Sequence, residues 1–217
     1  MIQLKNLQNF VLVSLQSLLN KKLHELRNKN RRFKLSNRRF TLVANNCVAG
    51  SVYQDLRLEY QTPFVGLYIM PKDFVKLCAS FEYYMGIQPI EKDCPEFSFP
   101  VGEIEEVTIY FMHYKNFDEA LSKWNARVSR IDFRQLGFIL VQRDNCTEED
   151  LQFFDSLNLT NRIILTSSPM RHLKSSFFLK IYSHEKEVGN VLEYKNAYSG
   201  ERIFWDFNFV KWINSFH

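Results

Sequence analysis

The sequence has little glycine and proline and has no long apolar run. Seven Gly and six Pro occur among the 217 residues, fewer than a disordered chain or a turn-rich all-β fold usually contains. Every apolar run is far shorter than the roughly 20 residues that cross a bilayer as a helix. The first residues also lack the basic start, apolar stretch and small-residue cleavage site of a secretory signal, so we expect a protein that is not secreted.

The sequence also lacks the cysteine pairs and glycine-rich motifs of several common sites. Its four cysteines form no CxxC pair, which predicts free thiols in a reducing compartment and hence a cytoplasmic protein. The motifs GxSxG, GxxxxGK(S/T) and GxGxxG are absent, which argues against several hydrolase, P-loop and dinucleotide-binding families. No Asp-x-Asp motif, a common way to hold a divalent metal, occurs either, and we predict no metal site and no cofactor.

Charge is distributed unevenly along the chain. Residues 1–39 contain ten of the 28 Lys and Arg but one of the 24 Asp and Glu, so this segment carries +9 and the remainder −5. The net charge of +4 therefore belongs to the N-terminal segment. A main domain of negative net charge argues against nucleic acid as a partner.

Residues 2–28 have the apolar spacing of an amphipathic helix. The apolar positions recur every three or four residues and form one stripe; they are Leu4, Leu7, Val11, Leu15, Leu18 and Leu19. One interpretation is an interfacial helix whose basic flank, reaching to residue 39, contacts anionic lipid at the inner face of the cell membrane. The other is a helix docked on the body with a solvated basic face. We divide the chain into this basic amphipathic helix, residues 1–39, and a single α/β domain, residues 40–217.

Strand-like and helix-like segments alternate beyond residue 39. The predicted strands are residues 40–44, 64–69, 107–112, 136–141, 162–166 and 177–182. The predicted helices are residues 72–84, 117–128, 148–157 and 205–216. This alternation predicts an α/β fold with a largely parallel, Rossmann-like sheet and helices on both faces.

Polar side chains follow three of these strands at the point where each strand ends. The carboxyl ends of parallel strands share one edge of a sheet, and α/β proteins bind ligands there. His113 and Asp144 are the candidate catalytic residues, because an imidazole titrates near neutrality and a carboxylate orients it or acts as a base. Arg143 is predicted to hold a phosphate or carboxylate. The candidate substrate-binding residues are Asn45, Asn46, Cys47, Tyr114, Arg143, Asn145 and Thr147.

Structural interpretations stand beside these assignments. A histidine at a strand end is often only a hydrogen-bonded residue, an Arg-Asp pair before a helix is often a structural tie, and the two Asn-Cys ends are also typical of turns with buried thiols. The spacing supports neither a Cys47–His113 nucleophilic pair nor a zinc site built from Cys47, His113, Asp144 and Cys146.

Several motifs between residues 38 and 170 resemble, in order, those of a bacterial family catalogued as a domain of unknown function, DUF1919. They are Asn45-Asn46-Cys47 with Gly50, residues 58–67, Pro71-x-Asp73-Phe74, Phe111-Met112-His113-Tyr114, Glu119-Ala120 with Lys123-Trp124, and Arg143-Asp144-x-Cys146-Thr147-Glu148-Glu149. Members of that family are often labelled exopolysaccharide or capsule biosynthesis proteins.

The resemblance implies a role in surface-polysaccharide assembly. A glycosyltransferase-like enzyme fits that role, with a nucleotide-activated sugar as donor and a lipid-linked saccharide as acceptor, and the lack of an Asp-x-Asp motif predicts that it is metal-independent. An acyltransferase with an acyl donor and a non-enzymatic accessory protein are the alternatives. Because such acceptors are commonly held at the cytoplasmic membrane face, the resemblance also favours peripheral membrane contact through residues 2–39.

Overall fold

A computed structural model describes the backbone of residues 2–216 and the side chains of residues 13–216. Helices and strands alternate through most of this part of the chain. The helices are α1 (Ile2–Lys34), α2 (Val48–Leu56), α3 (Pro71–Ala79), α4 (Phe81–Met85), α5 (Phe117–Val128), α6 (Glu148–Ser156) and α7 (Phe209–Ile213), with 3-10 helices at Lys180–Tyr182 and Ile203–Asp206. The strands are β1 (Thr41–Ala44), β2 (Ile90–Lys92), β3 (Val101–Ile104), β4 (Val107–Tyr110), β5 (Leu136–Val141), β6 (Arg162–Thr166) and β7 (Ser176–Phe178).

The larger sheet is parallel and is covered by helices on both faces. Its strands lie in the order β1-β5-β6-β7, and Ala44 at the end of β1 pairs with Ile139 of β5. Alternate side chains enter two apolar cores: Val43 and Leu140 pack with residues of α3, α5 and α6, whereas Ala44 and Ile139 pack with residues of α2 and α7. The predicted α/β fold with a mostly parallel, Rossmann-like sheet is confirmed.

Two predicted strands are not part of this sheet. Val107–Tyr110 lies in a second, antiparallel sheet of order β2-β3-β4, because a two-residue turn with Glu105 at a φ of 52° folds it back onto β3, and such hairpins form locally. Residues 64–69 form no strand beyond one bridge between Tyr68 and Tyr110, because Gly66 has a φ of 71° and interrupts the extended backbone.

Three other predicted elements are shorter than expected, and α1 is longer. The helix expected over residues 72–84 divides at Ser80, whose backbone is not helical, into α3 and α4. The segments 177–182 and 205–216 each hold a 3-10 turn beside a short strand or helix. The predicted helix at residues 2–28 continues to Lys34, while the side chains of Leu4, Leu7 and Val11 lie outside the described residues. Within the described chain, no helix has both the length and the apolar character needed to cross a bilayer.

Candidate functional site

The turns after β1 and β5 lie side by side because these two strands are parallel neighbours. Together with loops from the second sheet and from the C-terminal segment they enclose a cavity of about 560 Å³. We call it the strand-end cavity. Six of the predicted site residues line it: Asn46, Cys47, His113, Arg143, Asp144 and Asn145. The structure therefore brings together most of the side chains that sequence position alone placed at one sheet edge.

The turn after β5 has an unusual backbone. Asp144 and Asn145 have φ angles of 57° and 61°, the left-handed region that residues with a Cβ adopt at a cost of about 1 kcal/mol or more each. The Cys146 amide donates to the Arg143 carbonyl at 3.2 Å and closes the turn. Asp144 and Asn145 therefore place their side chains in the cavity although their backbone conformation is an unfavourable one.

Arg143 and Asp144 form an ion pair that is itself tied to the C-terminal segment. The Arg143 Nε lies 3.0 Å from the Asp144 Oδ2, and Arg143 also donates to the Gly189 carbonyl at 3.3 Å. Both side chains are partly exposed, so the pair is in contact with solvent in the cavity. Asp144 keeps its Oδ1 outside this pair and is oriented by its neighbour.

His113 reaches the cavity from the loop that follows β4. Its backbone amide donates to the Gly66 carbonyl at 3.0 Å, and a Cβ at Gly66 would lie 3.1 Å from the His113 Cβ. Gly66 thus provides both the positive φ and the room for this close approach. The His113 ring is exposed and has no hydrogen-bond partner among the described residues, so it is free to meet a ligand.

Two stacked tyrosines, Tyr68 and Tyr110, lie on the Asp144 side of the molecule, and Tyr68 shares the cavity lining with Asp144. The Tyr68 ring stacks on Tyr110 with centroids 4.4 Å apart, and Tyr68 lines the strand-end cavity. Burial raises the pKa of Tyr68, and the neighbouring Tyr110 and Asp144 raise it further. A fixed aromatic face next to a carboxylate is suited to a sugar or base ring.

The two cysteines of the turns are protonated thiols at neutral pH. Burial raises the pKa of Cys47, although Arg143 lowers it in part. Burial, together with the nearby Asp150 and Glu148 carboxylates, raises the pKa of Cys146 to about 12. Neither cysteine has the electropositive, accessible surroundings that activate a thiolate. In the described part of the chain, no three His, Cys, Asp or Glu side chains are grouped closely enough to hold a metal ion.

A second cavity of about 530 Å³ adjoins the first and shares Cys47, His113 and Leu192 with it. We call it the basic cavity, because its lining includes three cationic residues, Lys123, Arg127 and Arg202, against one carboxylate, Glu119. Arg127 donates to the Tyr114 hydroxyl at 2.6 Å, and its guanidinium lies 5.0 Å from the centre of the Tyr60 ring. Tyr114, a predicted substrate-binding residue, lines this cavity rather than the first.

Asn45 and Thr147 line neither cavity and have structural contacts. The Asn45 side chain accepts from the Val141 amide at 2.9 Å and donates to the Val141 carbonyl at 3.1 Å, so it extends the pairing of β1 with β5. The Thr147 hydroxyl accepts from the Asp150 amide, and the Asp150 carboxylate accepts from the Thr147 amide, which forms a capping box at α6. This capping role accounts for the position of Thr147.

Sequence reasoning missed the aromatic and basic parts of the site. Tyr68, Met70, Met112, Asn190 and Leu192 complete the strand-end cavity. Tyr68 belongs to the segment 64–69, which was expected to be a regular strand, and Met70 follows it directly. Lys123 and Arg127 lie four residues apart on α5, a spacing that places them on one helix face, and this was an available signal. Residues 190 and 192 follow no recognisable motif.

Comparisons with known proteins identify the family. Residues 18–214, which include every residue of both cavities, match the family described as "Domain of unknown function (DUF1919)". An uncharacterized protein from Haemophilus influenzae is 34% identical over 200 residues, which cover 92% of this chain and 96% of that protein. On both counts, this chain belongs to the DUF1919 family.

Proposed function

We propose that the strand-end cavity is the active site of a glycosyltransferase-like enzyme of surface-polysaccharide assembly. The observation that carries the proposal is the meeting of His113, Arg143 and Asp144 in one cavity that opens beside a basic cavity. A nucleotide-activated sugar needs both features, since its diphosphate requires cations and its sugar requires an adjacent base. The polysaccharide context comes from the resemblance described above, which implies a saccharide acceptor.

The donor is divided between the two cavities in this proposal. Lys123, Arg127 and Arg202 hold its phosphates, helped by the N-terminal end of α2, whose first turn has no acidic residue. The sugar lies in the strand-end cavity against Tyr68. An acceptor hydroxyl loses its proton to a base and its oxygen bonds to the anomeric carbon. The bond from that carbon to the phosphate oxygen breaks, and its electron pair leaves with the nucleoside diphosphate.

His113 is the base in this scheme, and Asp144 positions the substrate. The His113 ring is exposed and free of other hydrogen bonds within residues 13–216, whereas Asp144 already accepts from Arg143 at 3.0 Å. An oriented carboxylate of this kind is suited to accept hydrogen bonds from sugar hydroxyls. Arg143, in turn, holds that carboxylate in place beside the reacting centre.

Replacing His113 tests this function. Nucleotide sugars are first screened by thermal shift, and transfer is then assayed with the donor that stabilises the protein. We expect His113→Ala to lower kcat by about 10²–10⁴-fold while donor binding is retained. His184→Ala, which replaces an exposed histidine outside both cavities, is the matched control and should be fully active. Absence of any thermal shift with the nucleotide sugars would overturn the proposal, and so would unchanged transfer by His113→Ala.

The basic cavity has its own test. We expect Lys123→Gln and Arg202→Gln each to weaken binding of a nucleoside diphosphate about tenfold, because a charge-assisted contact is lost. Lys115→Gln, an exposed lysine just outside this cavity, is the control and should bind normally. Equal affinities in all of these proteins would place the phosphates elsewhere.

An acyltransferase is the second candidate, and one observation favours it. Met70, Met112 and Leu192 line the strand-end cavity, and this apolar surface suits an acyl chain. The same His113 would then activate a saccharide hydroxyl toward an acyl thioester. Stabilisation by an acyl-thioester donor and not by nucleotide sugars would select this reaction, and capture of partner enzymes without any donor binding would indicate an accessory protein.

A further inference from the structure

Helix α1 is docked on the body through its polar face. His24 lies 2.8 Å from the Asp55 Oδ1 of α2, and the other oxygen of Asp55 accepts from the Trp205 indole at 2.7 Å. Asn20 accepts from the Gly200 amide at 2.9 Å, and Arg31 forms an ion pair with Glu201. These contacts bury asparagine, histidine and arginine side chains, the residues that an ordinary amphipathic helix turns toward water.

The close docking at Gly200 fixes which side of α1 faces the body. Gly200 has a φ of 55°, and a Cβ there would lie 2.3 Å from the Leu23 Cβ and 2.7 Å from the His24 amide nitrogen. A residue with a side chain cannot occupy this position without displacing the helix. The rotation of α1 about its axis is therefore set by backbone packing as well as by hydrogen bonds.

This orientation leaves an apolar and basic face directed outward, which we call the outer face. Its apolar members are Leu15, Leu18, Leu19, Leu26 and Phe33, with exposed fractions from 43% for Leu19 to 89% for Phe33. Leu19, Leu26 and Phe33 are spaced by seven residues, about two helical turns, and Leu15 and Leu18 lie within four residues of Leu19, so all five lie on one side of the helix. Lys22 and Lys29 lie on the same side, three or four residues from these apolar positions, and are exposed.

We propose that the outer face binds the surface of an anionic membrane, with α1 lying in the interfacial plane. The apolar side chains enter the boundary between headgroups and acyl chains, and Lys22 and Lys29 extend to the lipid phosphates. Glu25, the acidic residue of α1, is already paired with Arg32 and Arg57, so it does not repel the headgroups. This inference does not depend on the reaction proposed for the two cavities.

Charge favours lipid over a second copy of this chain as the occupant. In a two-fold symmetric contact the same patch meets itself, so Lys22 and Lys29 would be buried against the lysines of the partner copy within an apolar seam. Such a seam leaves like charges unpaired in a poorly solvated place. An anionic lipid surface neutralises both lysines and accepts the leucines and Phe33 at once.

Vesicle sedimentation of the full chain tests the proposal. We expect binding to vesicles of phosphatidylcholine with phosphatidylglycerol, with much weaker binding to phosphatidylcholine alone and at high salt. The double variant Leu26→Ser/Phe33→Ser should lose at least tenfold in vesicle affinity with its melting temperature unchanged, because both side chains are exposed. Lys22→Glu/Lys29→Glu should also lose binding to anionic vesicles.

Phe153→Ser is the matched control, since Phe153 is an exposed apolar residue on α6, far from α1 in sequence. It should bind vesicles like the unmodified chain. Equal binding by the Leu26→Ser/Phe33→Ser variant would overturn the proposal. It would also be overturned if the chain bound no vesicles but formed a dimer, measured by light scattering, that this double variant abolished.

Discussion

The turns after β1 and β5 have related sequences and opposite structural roles. Asn45 is 1% exposed and directs its amide onto the backbone of Val141. Asp144 and Asn145 instead have left-handed backbone conformations and line the strand-end cavity. The first turn joins the strands of the sheet, and the second presents polar side chains at the same edge. The difference indicates that one strand end supplies rigidity so that its neighbour can hold a strained, solvent-accessible group.

The largest effect is expected from Asn45→Ala. This change leaves the Val141 amide and carbonyl without their side-chain partners beside β1, so we expect unfolding to become easier by about 2–4 kcal/mol. Asn46→Ala removes only a contact to the Val48 amide and should cost about 1 kcal/mol. Chemical denaturation measures both. If the two variants were equally stable, the first turn would not have the tying role that distinguishes it from the second.

The sequence predicted which edge of the sheet holds the site, but not which strand-end residues bond to the backbone and which line the cavity. The alternation of strand-like and helix-like segments located β5, its turn and α6, and it also predicted the parallel pairing. Nothing in the residue types separates Asn45, which bonds to backbone, from Asn145, which does not. That distinction depends on φ angles and on which strand ends first, and these are set by tertiary packing.

His113 lies in the cavity as expected, but the strand before it belongs to a different sheet from the one predicted. The prediction assumed that its strand was a parallel neighbour in the main sheet, but β4 is antiparallel and lies in the second sheet. The side chain still arrives at the same edge because the His113 amide bonds to Gly66 and Ile69 bonds to the Asn45 carbonyl at 3.0 Å. Long-range contacts of this kind leave no periodic signal in a sequence.

An intermediate effect is expected in the reactivity of the two turn cysteines. Alkylation requires the thiolate, so a raised pKa slows it at a given pH. Carboxylates around Cys146 raise its pKa to about 12, whereas Arg143 opposes the effect of burial at Cys47. At pH 8 we therefore expect iodoacetamide to modify Cys47 faster than Cys146.

Peptide mass spectrometry over a time course measures these rates. Arg143→Met should slow modification of Cys47 and leave Cys146 nearly unchanged, because the positive charge acts on the first thiol. Equal rates for the two cysteines in the unmodified chain would show that the turns do not differ electrostatically.

The smallest effect concerns the backbone of the second turn, and it separates strain from chemistry. Glycine adopts a φ near 60° without the Cβ penalty, so Asn145→Gly should raise stability by about 0.5–1 kcal/mol. Asn46→Gly, at a position without a positive φ, should lower the stability instead, since glycine there only adds freedom to the unfolded chain.

Asp144→Gly should stabilise the protein as Asn145→Gly does, yet it removes the carboxylate that Arg143 orients, so transfer activity should fall. A stabilised but inactive Asp144→Gly protein would mean that the strain in this turn is maintained for the carboxylate. If Asn46→Gly and Asn145→Gly changed the free energy of unfolding in the same direction, the two turns would not differ in backbone strain.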